Sequence, residues 1–260
     1  MQSNQRQSNQ RQLSLRVQGG FCNRLRAIVS AVLWAEDIGA SLDIHWPVEV
    51  GHMPCRLEEI LDIRTIPRFS SCHAGYLRNA RQIMDHADMK MTVDLVEKHL
   101  GTEIRIESYS EFHQELVAKT DRALKVLRGI ALVPSLDSIR PMKANRPIGI
   151  HIRRTDHVKC IEASPLTSFE KAIELELLLN PAATFYLATD EVAVKMRLAN
   201  LFGKCIESPT HFLGRKTILE QQNGIVDWNM LQKCSKIIAS KGSSYSEMAA
   251  LRAGIELVVV

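Results

Sequence analysis

Hydrophobic and polar positions in this chain alternate between short apolar runs and longer stretches of helical spacing. Leu13 to Val17 reads as a first strand, followed by a glycine turn. From about Arg24 to Ile38, the residues Leu25, Ile28, Val29, Val32, Leu33 and Ala35 recur on one helical face. Gly39 ends that helix, and Ser41 to Trp46 makes a second strand. This is a βαβ unit, and a crossover helix between two strands predicts a parallel sheet.

The pattern weakens from Pro47 to about Arg140. Arg56–Leu61 and Glu111–Arg128 read as helical, and Glu103–Glu107 as a strand. Val133–Pro147, with three prolines and few large apolar residues, reads as a connection between domains. The alternation then resumes. Strand Ile148–Ile152 leads to a helix that a Thr167-x-x-Glu170 capping box would open, ending near Leu179. Strand Thr184–Ala188, a helix over Glu191–Phe202, a short strand at Lys204–Glu207 and a helix over Thr217–Cys234 follow. Strand Lys236–Ala239, a helix over Ser244–Ala253 and a final strand Glu256–Val260 close the series. Right-handed crossovers make this a Rossmann-like domain. The expected division is a tail at 1–12, an amino-terminal domain at 13–140 and a carboxyl-terminal domain at 141–260.

Length agrees, since 260 residues suit two compact domains of about 130 each. The net charge of +4 overstates the basic character of the folded part. Residues 1–12 repeat a QSNQR unit, carry Arg6 and Arg11, and contain no acid. The remaining 31 basic and 29 acidic residues nearly balance, which excludes the basic face that nucleic-acid binding requires. The tail has the polar make-up of a disordered segment and lacks the apolar core of a signal peptide. No run approaches the ~18 apolar residues of a membrane span, so a cytoplasmic protein is expected. The six cysteines form no CxxC pair and read as reduced core thiols. His73, His86, His99 and His113 show no metal-ligand spacing and read as surface or satisfied side chains.

The chemistry concentrates at strand ends. Ile148-Gly149-Ile150-His151-Ile152 leaves the sheet into Arg153-Arg154-Thr155-Asp156-His157, where two adjacent guanidiniums can bind a diphosphate without a metal. Arg154 taken alone reads better as a partner for neighbouring acids in a solvated loop. Asp190 and Glu191 follow another strand, and there the start of a helix is an equal reading. Ser240-Lys241-Gly242-Ser243-Ser244 follows a third strand. Gly242 permits a tight turn, and a Ser244-x-x-Glu247 box would open the next helix, making a phosphate-sized anion site or only a cap. Strand ends of one parallel sheet share an edge, so these three motifs should converge. Gly19-Gly20-x-x-Asn23-Arg24 belongs to the other domain and would face them across a cleft. Asp227 taken alone reads more often as a solvated helix position, but its carboxylate can accept two parallel N–H bonds from a guanine edge; Trp228 reads as core. Neither GxGxxG nor GxxxxGK[ST] occurs, against dinucleotide and P-loop readings. The absence of a D-x-D triplet favours a metal-free route.

Taken together, His151-Ile152-Arg153-Arg154-Thr155-Asp156, Tyr186-Leu187-Ala188-Thr189-Asp190, Arg215-x-Thr217, Val226-Asp227 and Ser243-Ser244 resemble the GDP-fucose-dependent fucosyltransferases. The resemblance is to the alpha-1,6 and protein O-fucosyltransferase group, including bacterial nodulation enzymes. It covers roughly 148–252 well and 13–46 fairly.

The resemblance implies a GT-B-like α/β fold of two Rossmann-like domains, with parallel sheets flanked by helices. It implies metal-free, inverting transfer from a GDP-sugar donor to a carbohydrate or other hydroxyl acceptor, with no further cofactor. Arg153 would hold the β-phosphate, His151 and Asp227 would recognise the base, and Ser243 and Ser244 would complete the diphosphate site. Gly19, Gly20, Asn23 and Arg24 would approach the sugar, and Arg154, Asp156 and Asp190 would line the donor site. The alpha-1,6 enzymes carry a lysine at the position of His157, and their proposed general base falls on Ile161; Glu162, one place on, is the candidate base here. Two other readings are a transferase using another nucleotide sugar and a non-catalytic nucleotide- or glycan-binding relative.

Overall fold

Strand β1 (Gln12–Val17), helix α1 (Phe21–Asp37) and strand β2 (Ser41–His45) build the first βαβ unit, as the periodicity predicts. The structure is a computed structural model that describes residues 11–75, 77–85, 87–90, 103–137, 146–154, 158–210 and 214–260. The expectations for residues 1–10, His86, His99, Asp156 and His157 lie outside that set. Leu13, Leu15 and Val17 on β1 and Leu42 and Ile44 on β2 are fully buried, as are Leu25, Ile28, Val29, Val32 and Leu33 on α1. Each such side chain contributes roughly 1.5–3 kcal/mol of hydrophobic stabilisation, so the apolar stripe is what fixes α1 on the sheet. Strands β3 (Phe69–His73), β4 (Arg81–Gln82) and β5 (Glu103–Ser108) complete a parallel sheet ordered β3-β2-β1-β5-β4.

The region of weak periodicity departs from expectation. Arg56–Leu61 holds only a single 3-10 turn, Leu57–Glu59. The helix expected over Glu111–Arg128 is two helices, α2 (Gln114–Val117) and α3 (Asp121–Gly129). Lys119 adopts a positive φ of 55°, and the Thr120 side chain accepts the N–H of Ala123, so α3 starts afresh with its own cap. His113 is a satisfied core histidine: its Nδ1 accepts the Glu115 N–H and its Nε2 pairs with Asp37 at 2.9 Å. A short helix, α4 (Pro134–Asp137), occupies the start of the expected connection.

The second sheet contains β6 (Ile148–Ile152), β7 (Phe185–Thr189), β8 (Ile206–Glu207), β9 (Lys236–Ala239) and β10 (Glu256–Val259). Its strands are parallel and ordered β10-β9-β6-β7-β8. The intervening helices are α5 (Val158–Ala163), α6 (Leu166–Leu179), α7 (Val192–Phe202), α8 (Ile218–Leu231) and α9 (Ser244–Ala253). Ile150, Ile152, Phe169, Ile173, Phe185, Leu187, Leu198 and Ile238 form one buried cluster between strands and helices.

Two capping expectations are corrected. Helix α6 begins at Leu166 behind Pro165, so Thr167 lies inside the first turn; Glu170 instead pairs with Arg197 of α7. Helix α9 is capped in position by Ser243, not Ser244, and Ser243 makes no side-chain cap bond. A capping box does occur at α8, where Thr217 Oγ1 accepts the Glu220 N–H and Glu220 accepts the Thr217 N–H, each at 3.2 Å. Cys22, Cys55 and Cys234 are buried thiols; burial pushes the Cys234 thiol up to about 12.

The chain divides into two compact units. One takes in the chain up to Val48 together with Arg56–Ala131, the other Glu49–Cys55 together with Leu132–Val260. The division at 131/132 precedes the prolines that suggested a boundary at 140. Glu49–Cys55 joins the second unit through backbone and thiol bonds, Gly51 N–H to Arg215 O at 2.9 Å and Cys55 Sγ to Ile218 O at 3.6 Å.

Candidate functional site

Open parallel sheets bind ligands beyond the carboxyl ends of the strands, where the order of the chain reverses. In the second unit the chain runs outward from β6 through β7 to β8, then returns to β9 on the other side of β6. The switch point therefore lies between the ends of β6 and β9. His151 pairs with Ala239 across it, and the Ser240 N–H donates to His151 O at 3.1 Å. The motifs after β6 and β9 thus share one edge. In the first unit the switch point falls beside β1, between β1 and β5, and the Gly19–Gly20 turn follows it.

Hydrogen bonds lock the two loops of the second unit together. The Arg153 N–H donates to Ser240 Oγ at 3.1 Å. Ser164, fully buried just after α5, accepts the Lys241 N–H on its hydroxyl and an Arg154 Nη2 N–H on its carbonyl, both at 2.9 Å. The Arg154 N–H donates to Asp190 Oδ1 at 2.8 Å, which ties in the end of β7. Arg154 is buried, with its guanidinium 5.8 Å from the Phe169 ring centroid. Its guanidinium goes to backbone carbonyls and its backbone N–H to Asp190, so both residues brace the loop. Arg153, half-buried, is the arginine of this pair on the partly open side.

Gly242 has a φ of 72°, a left-handed conformation costly for other residues, and it turns the chain into α9. Ser243 is buried, and its Oγ has no hydrogen-bond partner among the described residues. A buried hydroxyl without a partner at a helix N-terminus is what an anion site needs and what a simple cap would not leave.

His151 is buried too, its ring stacked on Tyr245 with centroids 4.6 Å apart and planes at 29°. Its Nδ1 has no hydrogen-bond partner among the described residues. Burial, reinforced by the nearby Arg153 charge and opposed by Asp190, depresses its pKa to about 3. The imidazole is therefore neutral at pH 7, able to offer a planar donor or acceptor to a base. Tyr245 is fixed in turn: its hydroxyl donates to Gly224 O, and Trp228 Nε1 donates to Tyr245 O at 3.1 Å. Trp228 is core, as expected.

Asp227 is fully buried on α8, and the Tyr186 hydroxyl donates to its Oδ1 at 2.8 Å. The structure therefore removes the reading of Asp227 as a solvated helix position. Glu162 lies exposed on α5. Ser244 occupies the first turn of α9.

In the first unit, Gly19 has a φ of 74°, and a Cβ there would meet Asn23 Nδ2 at 2.9 Å. Helix α1 starts at Phe21, earlier than the periodicity predicts, so Asn23 and Arg24 sit in its first turn. Asn23 Oδ1 is buried without a hydrogen-bond partner among the described residues. Arg24 follows Asn23 in the same helical turn. It is fully buried, its Nε donates to Gly19 O at 2.8 Å and its Nη1 to Pro47 O at 2.7 Å, and it lies 4.6 Å over the Trp46 ring. It holds the glycine turn in shape.

Sequence reasoning assigned no role to Tyr186, Tyr245 or Ser164. Tyr186 and Tyr245 act through long-range partners and leave no local signal. Ser164-Pro165 is a turn dipeptide that could have marked a helix break.

Two parallel α/β sheets, each with its switch point at a glycine or serine loop, place the chain in the GT-B-like class of two Rossmann-like units. Solved structures make the fold more particular. NodZ alpha-1,6-fucosyltransferase, solved from Bradyrhizobium and also soaked with GDP-fucose, aligns at 16% identity over 93% of this chain and 92% of that one, with a TM-score of 0.62. POFUT1 in complex with GDP aligns at 8% identity over 95% and 98%, with a TM-score of 0.61. A mutant of Arabidopsis thaliana FUT1 in complex with GDP aligns at 10% identity over 96% of this chain and 70% of that one, with a TM-score of 0.64. The chain thus has the fold of these fucosyltransferases. No protein-family model and no curated protein matches the sequence. Among the described residues, no helix is long and apolar enough to cross a membrane.

Proposed function

We propose that this chain is a glycosyltransferase that moves fucose from GDP-fucose to a hydroxyl of a glycan or other acceptor, without a metal and with inversion at the anomeric carbon. The observation that carries the reading is the loop pair at the β6/β9 switch point. There Arg153 is tied to the Ser240–Ser244 loop beside two buried polar atoms, Ser243 Oγ and His151 Nδ1, that have no partner among the described residues. Fold likeness to enzymes solved with GDP and GDP-fucose supports the choice of donor.

In this reading the acceptor oxygen attacks the anomeric carbon as the bond to the diphosphate breaks, and negative charge grows on the departing GDP. Arg153 and the N–H groups at the start of α9 stabilise that charge, more strongly in the transition state than in the bound donor. Neutral His151 and buried Asp227 receive the base, Asp227 through guanine N1–H and N2–H. Glu162 takes the acceptor proton; its exposed position keeps open a second reading, in which the chain binds the nucleotide without transfer.

A thermal-shift panel with GDP, UDP and ADP tests the donor. At about 100 times its dissociation constant the true ligand stabilises by about 2.7 kcal/mol. Hydrolysis or transfer of GDP-fucose then separates enzyme from binding protein. GDP binding with no turnover over a broad acceptor panel establishes the second reading, and equal shifts with all three nucleotides remove the guanine assignment.

A further inference from the structure

We propose that Tyr186 is a positioning residue that sets the purine selectivity of this site by orienting the Asp227 carboxylate. The proposal rests on the reading above that Asp227 receives the guanine edge. Tyr186 is the second residue of β7, between Phe185 and Leu187, whose side chains belong to the buried cluster. Alternation along a strand puts Tyr186 on the other face, where its hydroxyl donates to Asp227 Oδ1 of α8 at 2.8 Å. Both residues are buried, at 2% and 0% exposure. Lys195 of α7 lies within electrostatic reach of the same carboxylate, and Asp227 raises its pKa against the lowering by burial.

The consequence follows from the shape of the carboxylate. Guanine offers N1–H and N2–H side by side, and a carboxylate accepts both only when its plane lines up with the ring. Hypoxanthine offers N1–H alone. The tyrosine hydroxyl occupies one of about four lone-pair sites on Asp227 and fixes its plane through a charge-assisted bond. Phenylalanine at 186 fills the same apolar space but removes this constraint on the carboxylate plane. The group lost is remote from the phosphates and the sugar, so the effect should appear in base discrimination.

The experiment measures dissociation constants of GDP, IDP and UDP for the full chain and for Tyr186→Phe by calorimetry. The wild type should prefer GDP over IDP by about tenfold or more, as expected for a bond to a charged group. In Tyr186→Phe that preference should fall to about threefold or less, with the UDP constant unchanged, whereas a general loosening of the site would weaken all three alike. A GDP/IDP ratio unaltered in Tyr186→Phe overturns the role of Tyr186 and leaves the guanine reading standing. A wild type with no preference for GDP over UDP overturns both. If Tyr186→Phe does not fold, the wild type labelled with 13Cζ-tyrosine carries the test. Asp227 shared with guanine moves the Tyr186 Cζ resonance on addition of GDP and not of UDP, and an unmoved resonance overturns the proposal.

Discussion

The backbone N–H of Arg153 donates to the Ser240 hydroxyl at 3.1 Å, joining the loops that leave the neighbouring strands β6 and β9. This single bond links the arginine motif to the glycine-serine turn, although 87 residues separate the two in sequence. The arginine loop and the N-terminus of α9, to which the proposed function gives the donor diphosphate, are therefore held in one register.

Arg153→Ala should lower turnover of GDP-fucose by about a hundredfold or more, because a charge-assisted contact is worth ~1.5–3 kcal/mol and more in a water-poor site. Its melting temperature should stay close to wild type, since the arginine is only half-buried. Steady-state kinetics beside a melting curve check this, and near-normal turnover would falsify the assignment.

Arg154→Met should show the reverse balance. Its guanidinium is buried and donates to Ser164 O at 2.9 Å, so the variant leaves a buried carbonyl short of a donor and slackens the loop brace. A loss of about 2–4 kcal/mol in urea denaturation is expected, by analogy with other broken buried networks. Unchanged stability with selective loss of donor affinity would instead give Arg154 a direct part in binding.

Ser243→Ala separates a cap from a ligand group. An ordinary N-cap serine loses about 1 kcal/mol on conversion to alanine. Ser243 makes no side-chain cap bond, so without nucleotide the variant should be as stable as the wild type. Its affinity for GDP should nevertheless fall by about tenfold, the value of one hydrogen bond to a charged oxygen. Equal stability loss with and without GDP would restore the capping role.

His151 gives a pH dependence of known sign. Its pKa is depressed from 6.5 to about 3 by burial, so between those values the unfolded chain binds a proton that the folded chain does not. Stability therefore falls as pH drops through that window, by up to about 1.4 kcal/mol per pH unit, and is unaffected by this group above it. Urea denaturation of wild type and His151→Gln between pH 7.5 and 4.5 should show a shallower acid slope in the variant.

Arg24→Met should destabilise the first unit, because Gly19 O and Pro47 O lose their donors and Trp46 loses its cation. A cost of about 2–4 kcal/mol is expected from one buried and one half-buried carbonyl that lose these donors. A fully stable variant with altered sugar kinetics would return Arg24 to the role that its motif suggests.

Local pattern determined a great deal about this protein. The strand–helix alternation, the parallel sheets and the positions of α1, α7 and α9 follow from apolar spacing and from stops such as Gly39, because a buried stripe repeats wherever an element packs on a sheet. The strand-end positions of Arg153 and Ser243 were legible for the same reason. Tertiary structure alone decided which polar groups are used up internally and which remain for a ligand. Arg154 gives its guanidinium to the buried Ser164 carbonyl, and Arg24 gives Nε and Nη1 to Gly19 O and Pro47 O, while Ser243 Oγ and His151 Nδ1 have no partner among the described residues. It also set the Tyr186–Asp227 bond across 41 positions and split the helix expected over Glu111–Arg128 at Lys119. A hydrogen-bond partner is a neighbour in space, and sequence spacing carries no record of which distant carbonyl or carboxylate the fold brings within 3 Å.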